Sequence, residues 1–290
     1  MMDVVTEEGL SRRLSMCFRV KADAFIPAGG RPNTINIDNW KQFLDPVTGK
    51  PSSPLIVEGA NIFTTPEARE QLFSQGGVTI VKDSSANKCG VITSSCEVAA
   101  SMLLSKDEFM AVKKELVNDV VVNLKHLAKM EAELLFREYR NYPGALPHFS
   151  ERISNAINTV TDAITDHLQE LQPSDALFQE LLPAVRANLP AKLAAVAWDR
   201  VPTRFPVQYQ RNAIASTLAA HLVYREGIHL VETQPLDRLA ARVIEYWRAD
   251  QRVRILAAKV ESGSSLGEDE RRHVLQLLKK GGPRASLEVF

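Results

Sequence analysis

The chain has 290 residues, 45% of them apolar, and 35 basic side chains balance 35 acidic ones. This composition supplies a normal core and excludes global disorder. Zero net charge gives no electrostatic reason to expect nucleic acid or an anionic membrane surface as a partner. No apolar run approaches the roughly 18 residues of a membrane span. Three cysteines, Cys17, Cys89 and Cys96, form no CxxC pair, which points to a reducing, intracellular compartment. The histidines show no HExxH or other metal spacing.

Residues 1–13 carry little pattern. They resemble neither an apolar signal peptide nor an Arg-rich, acid-poor transit sequence, and they read as an unnatural start. A short strand is expected at residues 24–26. Ala28-Gly29-Gly30-Arg31-Pro32 follows as a tight turn, where glycines let a backbone approach a flat ligand closely. Ile35, Ile37, Trp40, Phe43 and Leu44 give an irregular apolar face and a short helix. A polar turn covers residues 45–50. Residues 33–54 read as an insertion over the sheet edge, with no chemistry assigned.

Residues 54–98 organise the chain. Leu55-Ile56-Val57 and Val78-Thr79-Ile80-Val81 are β-branched runs bounded by turn residues, so both read as buried strands. Between them, TTPEAREQLFSQGG predicts a helix. Thr65 is its N-cap, Pro66 its first residue and Gly76-Gly77 its stop. Thr64 with Glu67 offers a capping box instead. Thr65 is preferred, because a residue before proline avoids helical angles. A second helix is expected to start near Ser94. Strand, helix and strand with a long crossover imply parallel strands in an open α/β sheet. Ligands of doubly wound sheets lie outside the carboxyl ends of the strands. Glu58-Gly59-Ala60-Asn61 leave the first strand there, and residues 83–89 leave the second.

These residues carry a family resemblance. VEGAN-x-x-TTPEA followed by KD-x-SANK-x-GV-x-x-SS-x-EV resembles the nicotinamide end of glutamate dehydrogenase. The pattern is most similar to the large NAD-specific class, whose catalytic region lies towards the carboxyl end of a long chain. The resemblance is dense from residue 23 to 98 and looser to about residue 168. It implies NAD as cofactor. It places the Gly29-Gly30 loop beside the nicotinamide and counts Gly59 among the cofactor contacts. It gives Asn61 to the nicotinamide ribose region, where an amide offers both donor and acceptor. Asn87 matches the second asparagine of that pocket, and Glu58 reads as organising the loop. Ser94 has two readings: a capping box with Glu97, or a contact to the distal carboxylate of glutamate at a helix N-terminus. Cys89 departs from the family pattern, in which glycine is usual, and a thiol needs more room than a hydrogen.

After Ser105 the sequence turns helical. Phe109, Val112, Leu116, Val120, Leu124, Leu127, Leu134 and Leu135 predict one long amphipathic helix over residues 107–140, with Lys and Glu on a solvated face. A second helix is expected over residues 149–171. Further helices are expected over 176–189, 191–200, 207–231, 236–260 and 268–280, punctuated by prolines. Lys279-Lys280-Gly281-Gly282 is assigned no chemistry, and residues 283–290 are expected to fray.

The expected fold is the second half of a doubly wound, Rossmann-like dinucleotide-binding domain followed by an all-helical carboxyl-terminal region. The expected divisions are a partial dinucleotide domain at 1–105, long helices packing on it at 106–172, and helices at 173–290. No GxGxxG turn follows a strand. The resemblance places that turn upstream, with the substrate domain that supplies the activating lysine and the proton-moving aspartate. The chain therefore reads as part of a larger enzyme and is expected to be inactive alone. The resemblance implies oxidation of L-glutamate to 2-oxoglutarate and ammonia by a homo-oligomer, mitochondrial or cytosolic. Two alternatives stand beside it: a catalytically inactive paralogue acting as a binding or regulatory subunit, and a helical interaction protein that keeps a remnant sheet.

Overall fold

The computed structural model describes residues 15–263 and 266–288, together with Thr6, Gly9 and Arg12. Backbone contacts divide the chain into two units. One comprises residues 1–154 and 190–197, the other 155–189 and 198–290.

The first unit is built on two strands, β1 (Leu55–Val57) and β2 (Thr79–Val81), preceded by a short helix, α1 (Met16–Arg19). The strands pair in parallel, with Leu55 opposite Thr79, Ile56 opposite Ile80 and Val57 opposite Val81. The middle residue of each, Ile56 and Ile80, is buried, as a half-covered strand of period two requires. Phe25 adds one parallel bridge to Ile56. The strand expected at residues 24–26 is no longer than that bridge, because Pro27 has no N–H with which to continue the ladder.

Helix α2 (Pro66–Ser74) supplies the crossover. The Thr65 hydroxyl accepts the Ala68 N–H at 3.3 Å from an extended backbone, so the proline argument selects the right cap. Thr64 is buried and its hydroxyl makes no hydrogen bond. Gly77, at φ +62°, turns the chain out of the helix through a conformation that favours glycine.

Residues 33–54 differ from their expected role. Ile35, Trp40 and Phe43 are buried against Ile56, Leu72 and Ile80, so the segment walls the core rather than lying over an edge. Its helix is a single 3-10 turn, Trp40–Phe43, and Ile37 is exposed. The polar turn is as expected: Asp45 accepts the backbone N–H groups of Val47 and Thr48, both at 3.0 Å.

After β2 come α3 (Asp83–Ala86), α4 (Cys89–Leu103), α5 (Lys106–Asn141) and α6 (Leu146–Gln169). The long helix begins with a reciprocal capping box between Ser105 and Glu108, which satisfies two end donors. Leu116, Leu134 and Leu135 form its most buried stripe.

Prolines and glycines divide the later helices more finely than expected. Pro183 separates α7 (Ala176–Leu181) from α8 (Pro183–Asn188). The expected helix over 191–200 ends earlier as α9 (Ala191–Ala197), followed by a 3-10 turn (Trp198–Arg200) and α10 (Val201–Arg204). Gly227, at φ +92°, separates α11 (Val207–Glu226) from α12 (Ile228–Glu232). Helix α13 (Leu236–Ser262) is continuous, and α14 (Glu268–Glu288) breaks at Gly282 before Pro283. Residues 283–288, where fraying is expected, take helical backbone, and 289–290 lie outside the described residues. No helix among the described residues is long and apolar enough to cross a membrane.

Asp250 is the polar centre of the second unit. Its buried carboxylate accepts from Arg225 Nη1 at 2.9 Å and Arg254 Nε at 2.6 Å, and His221 Nε2 lies 3.2 Å away. Burial opposes its charge, but the His221 and Arg254 contacts outweigh burial and hold the carboxyl below the usual range. Asp250→Asn leaves Arg225 and Arg254 facing a neutral amide and is expected to cost about 2 kcal/mol in chemical denaturation. A depressed folded pKa adds stability above the unfolded value of about 3.9, and that stability is lost as the pH falls through the folded value. The gap between wild type and variant should hold constant above about pH 5 and narrow below about pH 4. A gap that widens in acid contradicts this assignment.

Candidate functional site

The carboxyl ends of the two strands are joined by a buried ion-pair network. The Glu58 N–H donates to Val81 O at 2.9 Å, which extends the ladder by one bond. Its side chain is 0% exposed. Arg69, on α2, donates to it from Nε at 3.1 and 3.2 Å and from Nη2 at 2.8 Å. The Asp83 N–H, just after β2, donates to Glu58 Oε2 at 3.1 Å. Asp83 in turn lies 3.6 Å from Arg69 and accepts the Ile62 N–H at 2.8 Å. One carboxylate therefore ties together β1, α2 and the start of α3. Glu58 organises the loop, as its place in the sequence suggests.

The network holds a strained residue. Ile62 has φ +52°, a conformation that β-branched side chains rarely adopt. The Asp83 bond to its N–H, and its carbonyl's acceptance of the Asn33 N–H at 2.7 Å, keep it there.

The three glycines of the site differ. A Cβ on Gly59 would lie 3.1 Å from the Pro27 carbonyl oxygen, so its loop touches the turn before Gly29. Gly30 has φ +123°, and a Cβ there would lie 3.0 Å from the Phe63 ring. Gly29 is exposed, and nothing in the packing requires it to lack a side chain.

Asn61 and Asn87 meet. Asn87 Nδ2 donates to Asn61 Oδ1 at 2.6 Å, on the accessible side of the strand ends. That bond uses one donor and one acceptor of the pair, and each amide keeps further capacity.

Ser94 is elsewhere in its helix than expected. Helix α4 begins at Cys89, with Lys88 as its N-cap, so Ser94 lies more than a turn inside and forms no capping box with Glu97. The chain re-enters helix directly after the break at Asn87, and the Thr93 and Ser95 hydroxyls donate to the carbonyls of Cys89 and Val91 as mid-helix hydroxyls do. Ser94 is exposed. Cys89 and Gly90 are exposed, so the thiol crowds nothing in this conformation.

An apolar groove of about 290 Å³ runs between α4 and α5, lined by Cys96, Ala100, Phe109, Leu116 and Val120. None of Gly29, Gly30, Gly59, Asn61, Asn87 and Ser94 lines it. Burial, with Glu97 beside it, pushes the Cys96 thiol up, away from a reactive thiolate. No group of three or more His, Cys, Asp or Glu among the described residues is placed to hold a metal.

A second polar cluster has no counterpart in the sequence reading. Glu131, on α5, is 2% exposed. It accepts Ser85 Oγ at 2.6 Å and Lys88 Nζ at 2.6 Å. Ser150, on α6, hydrogen-bonds the hydroxyls of both Ser84 and Ser85. Its signal was present as an acidic residue in register with Leu124, Leu127 and Leu134 on the apolar stripe.

Arg69→Met strands the Glu58 carboxylate in the core and is expected to cost about 3 kcal/mol or more in urea denaturation. Glu58→Gln combined with Arg69→Met should recover part of that loss, since no buried charge then lacks a partner. A double variant as unstable as the sum of the singles contradicts the coupling.

Residues 3–142 match the family model described as Glutamate/Leucine/Phenylalanine/Valine dehydrogenase. The chain is 33% identical over 219 residues, 72% of its length, to "Glutamate dehydrogenase 2" of Dictyostelium discoideum, of which it covers 20%. It is 34% identical over 218 residues, 71% of its length, to "NAD-specific glutamate dehydrogenase" of Saccharomyces cerevisiae, again covering 20% of the relative. The protein of the same name in Neurospora crassa is 30% identical over 221 residues, with 71% of this chain and 20% of the relative covered. The chain thus spans about one fifth of the length of these relatives. No solved structure matches it. The whole strand-end cluster lies inside the segment, residues 3–142, that matches the glutamate/leucine/phenylalanine/valine dehydrogenase family model.

Proposed function

We propose that the chain supplies the nicotinamide side of the cofactor site in an NAD-dependent glutamate dehydrogenase. The observation that carries this reading is the Asn61–Asn87 bond of 2.6 Å, which brings together two amides from the ends of adjacent parallel strands. The names of the relatives in Saccharomyces and Neurospora support NAD as the cofactor and glutamate as the substrate. The parallel pair and the Phe25 bridge suit the second half of a doubly wound sheet, in which a ligand lies outside the carboxyl ends of the strands.

The residues suit that ligand. Exposed amides at the strand ends match ribose and carboxamide groups, which need both donors and acceptors. Gly29, Gly30 and Gly59 are read as backbone contacts to the cofactor; Gly59 packs against the Pro27 carbonyl, Gly30 against the Phe63 ring, and the space around Gly29 is open. When bound, NAD would supply the hydride acceptor for oxidation of L-glutamate at its α-carbon, the resulting imine being hydrolysed to 2-oxoglutarate and ammonia. The residues of this chain orient the ring and exclude alternative poses. Ser94, exposed on α4, serves as a hydrogen-bonding contact for the distal carboxylate of the substrate rather than as a helix cap. The enzyme works as a homo-oligomer inside the cell.

In the complete dehydrogenase, Asn61→Ala and Asn87→Ala are each expected to raise the KM for NAD about tenfold, the effect of one lost hydrogen bond to a ligand. The KM for glutamate should stay within about twofold. Steady-state kinetics with each substrate varied in turn decides the matter. An unchanged KM for NAD in both variants removes these asparagines from the cofactor site.

A further inference from the structure

We infer that Glu131 is a positioning residue for the cofactor contact at Asn87. From the long helix α5 it grips the turn on both sides of that asparagine. The inference rests on the reading of Asn87 as a cofactor contact.

Asn87 stands between α3 and α4 with a non-helical backbone, φ −119° and ψ 41°. Its amide is half-exposed and held at one end by the Asn61 side chain at 2.6 Å, and the rest of its placement comes from the turn that carries it. Within the turn the Asn87 N–H donates to the Asp83 carbonyl at 2.8 Å, and Lys88, the N-cap of α4, makes no side-chain capping hydrogen bond. A neighbouring helix adds a further hold. One oxygen of Glu131 takes Ser85 Oγ and the other takes Lys88 Nζ, each at 2.6 Å. The two donors flank Asn87 in the sequence, so a single carboxylate spans it. Ser150 reinforces the same side through Ser84 at 2.9 Å and through Ser85.

Burial gives these bonds force. Glu131 is nearly inaccessible, so solvent competes little for its carboxylate, while the Lys88 end of the ion pair is 30% exposed and partly screened. A carboxylate on an apolar stripe is also a poor choice for stability alone, because an apolar side chain of similar size is often neutral or better. Its geometry suits a different task, which is to fix a ligand-binding group through a supporting shell.

The test uses the complete dehydrogenase with Glu131→Gln, which keeps the shape and removes the charge. Without cofactor, amide hydrogen exchange over residues 84–92 should accelerate about tenfold, while residues 66–74 stay unchanged. The KM for NAD should rise about tenfold, with kcat at saturating NAD within about twofold. In an Asn87→Ala background the same substitution should add nothing to KM, because the two act through one contact. Unchanged exchange over residues 84–92 overturns the grip itself. Faster exchange with an unchanged KM for NAD, where Asn87→Ala alone raises it, overturns the positioning role. If Asn87→Ala alone leaves that KM unchanged, the cofactor reading falls and the positioning role falls with it. Lys88→Met breaks the same ion pair from its more exposed end and serves if Glu131→Gln does not fold. It should give the same faster exchange, and slow exchange there also overturns the grip.

Discussion

The first unit depends on a carboxylate with no access to water. Glu58 sits at the end of β1, where its charge is tolerable only because Arg69 and the Asp83 backbone surround it with donors. The cost of desolvating the charge makes the arrangement specific. A shift of α2 or of the β2 end by a residue would leave the charge without partners. The network therefore sets the spacing of the two strand ends more firmly than the short ladder does. It also lets Ile62 keep a backbone conformation that few side chains adopt, since Asp83 accepts its N–H.

From that constraint the candidate site follows. Asn61 leaves the strand just after Glu58, and Asn87 ends the short helix that Asp83 begins. Both asparagines are thus a few bonds from one buried anchor, and their amides meet. A second anchor, Glu131, reaches the far side of Asn87 from another helix. Accessible amides standing on buried charged supports are the arrangement expected of a preorganised site.

Much of this was legible in the sequence, for identifiable reasons. β-Branched runs and their turn residues marked β1 and β2, and the Thr-Pro pair marked the start of α2 through the backbone restriction that proline imposes. Asn61 and Asn87 stood out through their motif. The start of α4 was missed because Ser94 and Glu97 have capping-box spacing, while the true start follows Asn87 and carries Gly90, which disfavours helix. The role of residues 33–54 was missed because an irregular apolar pattern does not say which wall it faces. Ile35, Trp40 and Phe43 enter the core, whereas Ile37 does not. Glu131 and Asp250 were missed for a common reason. Each looks like one more charge on a long helix, and its partners lie far along the chain: Ser85 and Lys88 for one, His221 and Arg225 for the other. Local pattern cannot pair residues across such distances.

The proposed function makes the loops after β1 and β2 one cofactor surface. Hydrogen exchange on the full-length protein, with and without saturating NAD, tests this most directly. Slower exchange is expected at residues 58–62 and 82–92 when NAD is added, with α11 and α13 unaffected. Slowing confined to other segments, with these two loops unchanged, would contradict it.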